Sequence, residues 1–279
     1  MGDMYKLHKP EQPQPDRLIT PKVHPWSRDK HHFLHRYLDA FTTAMKDKGW
    51  SGLHYIDLFA GAGIEDVDGY GLDWGSPLIA ARQTHQFTRL HLCEIGKKKY
   101  EALVERLERY PQPNSPQTLR GDANKRVDEV VEEIEQSALS VAFLDPYGLH
   151  LDFETLRRLC AIRADLIIFF PDHLDALRNW ENVYRGQPDS NLNKVVGTPT
   201  WNQRMIAKPR DQWAHVLTQV YVEQIKSLGY THFDYERITL KRGQPLYRLI
   251  FCSKHEAGAT IWRRVATKKP GGQWTFDFD

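Results

Sequence analysis

Cysteine is scarce. The chain has three, Cys93, Cys160 and Cys252, far apart and with no C-x-x-C pair, which excludes a disulfide framework and a zinc knuckle and leaves each as a small buried residue. Long apolar runs are also missing. A run such as Ala164 to Phe170 is far too short to span a bilayer, and the polar, proline-bearing N-terminus has no signal-peptide core. There is no internal repeat and no low-complexity tract. A soluble, cytoplasmic protein is expected, with no membrane partner. With 279 residues, 41% hydrophobic and 27% charged, the chain has enough apolar material to bury a full core.

The stretch Tyr55 to Gly63, Y-I-D-L-F-A-G-A-G, is an apolar strand that ends in an acid and a turn of small residues. Gly61 and Gly63 lack a Cβ, so the backbone there can turn sharply and let a ligand approach. Asp57 falls near the carboxyl end of the strand, where open α/β sheets bind ligands. No third glycine stands at fingerprint spacing, so a plain glycine turn between a strand and a loop remains an alternative.

Residues 1–28, with Pro10, Pro13, Pro15, Pro21 and Pro25, read as an extended N-terminal arm. Residues 29–279 read as a single α/β domain. Asp29 is placed to cap a helix whose Phe33, Leu34, Tyr37, Leu38, Phe41 and Met45 recur at helical spacing. On it, His31 and His35 lie one turn apart, either as a metal pair or as part of an exposed polar face. With no third ligand in view, no metal site is assigned.

Strands are predicted at Tyr55–Phe59, Arg89–Glu94, Leu119–Gly121, Ser140–Leu144 and Ala164–Phe170. Helices are predicted at Pro77–Gln86, Lys97–Tyr110, Asn124–Gln136 and Asp152–Ala161. A long, acidic, glycine-bearing loop through Gly69, Gly71 and Gly75 separates the first strand from the Ser76-Pro77 helix start. After a helical insertion at about 171–210 come a helix, Asp211–Leu228, and two strands, His232–Lys241 and Leu246–Ser253, around R-G-Q-P. A last helix, Glu256–Ala266, and an aromatic tail, Trp274–Phe278, follow. Strands that alternate with helices imply a doubly wound, mostly parallel sheet.

Five parallel strands and a terminal antiparallel hairpin are the element order of the seven-stranded class I, S-adenosylmethionine-dependent methyltransferase sheet. The residues strengthen that resemblance. D-L-F-A-G-A-G is similar to the family's first motif, Glu94 stands where its ribose-binding acid falls, and G-D-A at Gly121–Ala123 is similar to its adenine-contacting motif. Asp145-Pro146-Tyr147-Gly148 follows the fourth strand, where these enzymes hold residues facing the target. The resemblance implies S-adenosylmethionine as cofactor, held by Asp57, Phe59, Gly61, Gly63, Glu94 and Asp122, with Asp145 and Tyr147 as the catalytic pair. Acids at strand ends also serve as helix caps, and Asp122 before Asn124 fits that alternative. The D/N-P-P-Y/F pattern of amino-methyltransferases lacks its second proline here, and the Pro-Cys nucleophile of cytosine-C5 enzymes is absent. A nicotinamide dehydrogenase is disfavoured by the D-P-Y-G segment and the hairpin.

A narrower resemblance covers about Lys30 to Val265. The combination of K-H-H-F-L-H-R-Y-L, Y-I-D-L-F-A-G-A-G, G-S-P-L-I-A, F-L-D-P-Y-G, F-F-P followed by Leu177-Arg178-Asn179, and Y-R-L-I-F-C-S-K-H with Ile261-Trp262 resembles the three-Cys-motif partner proteins. It implies a methyltransferase-like fold and a partnership with a three-Cys-motif protein, a radical-type iron–sulfur class. The acceptor is left open, as is the alternative of a non-catalytic cofactor-binding adaptor. Net charge is +2, with its excess between Arg237 and Lys269, where nine basic residues meet only Glu256. That stretch reads either as a nucleic-acid footprint or as an ordinary solvated surface.

Overall fold

The computed structural model of the chain describes residues 12–171, 190–239 and 245–266. Strand β1 (Lys22–Val23) precedes helix α1 (Ser27–Met45), then β2 (Leu53–Asp57), β3 (Ile64–Val67), β4 (Gly71–Trp74) and α2 (Ser76–Ala81). Next come β5 (Arg89–Glu94), α3 (Lys97–Leu107), β6 (Gln117–Arg120), α4 (Ala123–Glu132), β7 (Leu139–Leu144), α5 (Phe153–Leu159) and β8 (Ala164–Phe170). Helices α6 (Asn191–Val196), α7 (Trp201–Ile206) and α8 (Trp213–Ser227), the strands β9 (His232–Thr239) and β10 (Pro245–Ser253), and α9 (Glu256–Ala266) complete the described elements.

The main sheet has seven strands in the order β6-β5-β2-β7-β8-β10-β9. Neighbours from β6 to β8 are parallel, and β10 runs antiparallel to both β8 and β9. This is the doubly wound sheet of class I methyltransferase type with a terminal antiparallel hairpin. Alternation along the strands builds two cores. Tyr55, Val141, Phe143, Ile167, Phe169, Leu249 and Phe251 face α1, α2, α3 and α9. Ile56, Ala142, Leu144, Leu166, Ile168, Ile250 and Cys252 face α4, α5 and the α6–α8 helices. Because β-strand side chains alternate and both faces are covered, the strands read as near-continuous apolar runs, as β8 does from Leu166 to Phe170, with buried Asp165 the exception. Among the described residues no helix is long and apolar enough to cross a membrane.

The acidic loop after the first strand is not a loop. Its residues form an antiparallel hairpin, β3–β4, in a separate three-stranded sheet of order β1-β3-β4 to which the N-terminal segment adds β1. Helix α1 starts at Ser27, ahead of Asp29, with no side-chain cap bond. Ser76 lies inside α2, with Gly75 at the cap position. The R-G-Q-P turn at 242–245 falls largely outside the described residues, as does the aromatic tail.

Candidate functional site

Parallel strands place their carboxyl ends on one edge, and four acids collect there. Asp57 ends β2, in register with Leu92 of β5 and Phe143 of β7. Glu94 ends β5, level with Arg120 of β6, so Asp122 lies two residues past β6 and Asp145 directly follows β7. In the sheet order Glu94 and Asp122 are on one side of Asp57, and Asp145 is on the other.

Asp57 is fully buried. It accepts hydrogen bonds from Ser76 Oγ (2.6 Å), Tyr55 Oη (3.2 Å) and the Phe59 amide (3.1 Å). Burial pushes its carboxyl up to about 7 against the lowering effect of those donors, and the charge of Asp145 pushes the same way. Phe59 thus gives its amide to Asp57, and its half-buried ring packs on the α4–α5 core. Glu94 receives the amides of Gly61 (2.9 Å) and Gly96 (2.6 Å). A carboxylate has about four lone-pair directions, so each oxygen retains acceptor capacity. Asp122 caps α4, taking the Asn124 amide on Oδ1 at 3.0 Å. The capping alternative is therefore realised, and Oδ2 is the oxygen left for a ligand.

The glycine turn is left-handed at Gly61 (φ 65°) and Gly63 (φ 85°), where a Cβ is strained. A Cβ on Gly61 would meet nothing within 4 Å, whereas one on Gly63 would press on Leu78 at 3.2 Å. Gly61 thus borders open space, while Gly63 is packed. The turn is held from below by Arg106, whose Nη1 donates to the Ala62 carbonyl at 2.6 Å.

Asp145 accepts an ion-paired hydrogen bond from Lys30 of α1. Tyr147 is not drawn into this group, since its side chain is 93% exposed. Several residues at the site escaped the sequence reading. Ser76 is one, as the donor to Asp57. Ile95, immediately after Glu94, is 71% exposed and offers an aliphatic surface beside that carboxylate. Its position between an acid and a glycine at a strand exit was the available signal. His31 is 6% exposed, not part of an exposed face. Its spacing of three and seven from Leu34 and Leu38 places it on the buried stripe of α1. His31 Nε2 lies 3.9 Å from Glu65 Oε2 of the hairpin, whereas His35 Nδ1 meets Gln83 Nε2 at 3.2 Å. The two histidines therefore do not share a ligand, and among the described residues no group of three His, Cys, Asp or Glu could hold a metal ion.

Of the basic stretch, Arg248 is buried with its guanidinium 5.9 Å from the Tyr235 ring. Lys254 Nζ donates to the Cys160 carbonyl at 2.7 Å. Arg263 and Arg264 are exposed on α9. The side chains of Arg237, Lys241, Arg242, Lys268 and Lys269 lie outside the described residues.

Fold and edge together define an α/β sheet of the class I methyltransferase type. Among solved structures, protein LPL1258 from Legionella pneumophila str. Philadelphia 1 matches 86% of this chain and 92% of its own at 12% identity and TM-score 0.51. An O-methyltransferase from Bacillus cereus, solved with SAH, matches 85% of this chain and 84% of its own at 12% identity and TM-score 0.48. The O-methyltransferase TomG from Streptomyces achromogenes, involved in tomaymycin synthesis and solved with SAM, matches 81% and 80% at 11% identity and TM-score 0.46. At such identities the likeness is one of fold. No protein-family model matches the chain, and no curated protein matches it.

Proposed function

We propose that this chain binds S-adenosylmethionine at the strand edge and is a methyltransferase-type protein that works with a three-Cys-motif partner. The observation that carries the reading is the convergence of Asp57, Glu94, Asp122 and Asp145 on one sheet edge around a left-handed glycine turn. The residues fit the cofactor. Glu94, already oriented by two amides, accepts from the ribose hydroxyls. Asp122 Oδ2 accepts from the adenine amine, Ile95 packs on the base, and the open space over Gly61 admits the ligand backbone. When bound, the cofactor supplies an electrophilic methyl group on a sulfonium. The chain's contribution is positioning and electrostatics, with Asp145 on the acceptor side of Asp57. The partner is proposed on the sequence resemblance, and a nucleic-acid surface on the basic stretch around exposed Arg263 and Arg264.

Calorimetry with S-adenosylmethionine and NAD on the purified chain tests the reading: binding of the first and not the second is expected. Glu94→Ala should weaken it by about 1.5–3 kcal/mol, the worth of hydrogen bonds to a charged acceptor. No binding by the wild type would overturn the cofactor assignment.

A second reading, a non-catalytic cofactor-binding adaptor, is favoured by one observation: Asp145 is held by Lys30. Asp145→Ala separates the two. On the catalytic reading, Asp145→Ala keeps cofactor binding and loses labelled-methyl transfer to a cell extract in the presence of the partner. Retained transfer with a lowered melting point ends the catalytic assignment.

A further inference from the structure

Most carboxylates around the strand edge are already held by donors. Asp57 has Ser76, Tyr55 and the Phe59 amide; Glu94 has two glycine amides; Asp122 has the Asn124 amide; Asp145 has Lys30. Asp73 takes the Trp74 amide at 2.9 Å and faces Arg28 Nε at 3.4 Å. Glu65 differs. Its Oε2 is buried and, among the described residues, has no hydrogen-bond partner. His31 Nε2, at 3.9 Å, stands beyond hydrogen-bond reach, and the buried Nδ1 of the same ring is also without a partner. A desolvated carboxylate oxygen without a donor costs stability, so its persistence calls for an explanation.

The place of Glu65 supplies one. It lies two residues past Gly63, on the strand that leaves the glycine turn, and the charges acting on it come from Lys30 of α1, Asp145 after β7, Asp73 of β4 and Lys99 of α3. His31, which Glu65 faces, adjoins the Lys30 that pairs with Asp145, and this contact sets Glu65 toward the Asp145 side of Asp57. We propose that Glu65 takes the proton from the methyl acceptor, and that the acceptor is a protic nitrogen or oxygen nucleophile; this rests on the reading of the edge as an S-adenosylmethionine site. The step balances without a further reactant. A lone pair on the acceptor's nitrogen or oxygen forms the bond to the methyl carbon, the carbon–sulfur pair returns to sulfur, and as the proton passes to Oε2 the X–H pair stays on the acceptor atom. Burial raises the Glu65 carboxyl to about 7, a value suited to a base at neutral pH. Burial lowers His31 to about 4, so its neutral ring does not tie Glu65 into an ion pair.

Calorimetry on the full chain tests this with two probes, S-adenosylhomocysteine and the S-adenosylmethionine analogue that carries a primary amine in place of the sulfonium methyl. Glu65→Gln should weaken the amine analogue roughly ten- to a hundredfold, as loss of a charge-assisted hydrogen bond does, and leave S-adenosylhomocysteine within about twofold. In the wild type, the analogue's advantage over S-adenosylhomocysteine should grow as pH rises through about 7, when Glu65 ionises. Because Asp57 is also pushed up to about 7, the same pH series is run on Glu65→Gln, or on Glu65→Ala if that variant does not fold, and the growth should vanish in the variant. Equal losses for both probes, or an advantage flat in pH, would overturn the assignment of Glu65. Failure of the wild type to bind S-adenosylhomocysteine would overturn the cofactor reading itself, and this proposal with it.

Discussion

Asp16 and Arg106, ninety residues apart, form a two-point carboxylate–guanidinium pair. Nε donates to Oδ2 at 2.7 Å and Nη2 to Oδ1 at 2.9 Å, with the two side chains 5% and 1% exposed. The same guanidinium donates to the carbonyls of Ile19 and Ala62 and to Thr20 Oγ1. The N-terminal segment is thereby tied through α3 to the glycine turn.

Asp16→Ala should therefore act on both stability and the site. Removing one member of a buried pair leaves its partner's charge uncompensated, a loss of about 3–5 kcal/mol, read as a lowered urea midpoint. The Arg106 hydrogen bond holds the Asp16 carboxyl below its usual range. Its contribution is present above the unfolded value near 4 and lost as pH falls through the lowered one. The variant should lack that part of the acid limb.

A buried relay on the far side of the sheet gives a second pH response. His54 Nδ1 meets His91 Nε2 at 2.8 Å, and His91 Nδ1 meets Gln117 Oε1 at 2.7 Å. Burial lowers both imidazoles, His91 to about 4. With the folded value below the unfolded one, the stabilisation is complete above about 6.5 and falls away between there and about 4. For His91 this amounts to roughly 3 kcal/mol. Melting temperatures of wild type and His91→Gln should converge across that interval, and parallel curves would count against the relay.

Ser76→Ala removes the shortest donor to Asp57. A hydrogen bond to a charged group is worth about 1.5–3 kcal/mol, and its loss should raise the carboxyl above its present value of about 7. Because that value already exceeds the unfolded one, Asp57 opposes folding increasingly as pH rises from about 4 through about 7. The variant's deficit should be larger at pH 8 than at pH 5 by chemical denaturation.

Gly258 of α9 lies against the buried Asp165, which accepts from Tyr37 Oη at 2.7 Å. A Cβ there would meet Asp165 Oδ2 and Ser253 Oγ, both at 2.6 Å. Gly258→Ala, which an exposed helix would welcome, should cost about 1–3 kcal/mol through overpacking. Thermal unfolding would show it, and an unchanged melting point would mean that α9 shifts freely.

Ile95→Asp probes the exposed aliphatic surface beside Glu94. At 71% exposure the change should leave the melting point almost unaltered. Loss of the apolar contact should weaken S-adenosylmethionine by about 1–2 kcal/mol in calorimetry.

Sequence reading reached the bounds of β5, β8 and α9 because their apolar and breaker residues are unambiguous, as in Ala164–Phe170 stopped by Pro171. It missed the β3–β4 hairpin because Glu65, Asp66, Asp68 and Asp73 interrupt the alternation and glycines surround them. The addition of β1 to β3 joins segments about forty residues apart, as Lys22 and Asp66, and such long-range pairing leaves little local trace. The carboxylates at strand ends were legible from position alone. Their partners were not, since Lys30, Ser76 and the Gly96 amide reach them only through the folded chain.

The Gly75 amide donates to the Gly63 carbonyl at 2.8 Å, and a Cβ on Gly75 would crowd that same oxygen at 3.1 Å. This bond joins the two ends of the hairpin at its root. The tip beyond β1's partners Asp66 and Val67 is an appendage whose length is uncoupled from the edge beneath, because extending a closed loop adds little further entropy cost. Around Gly69 and exposed Tyr70, inserting or exchanging residues should thus leave the glycine turn undisturbed.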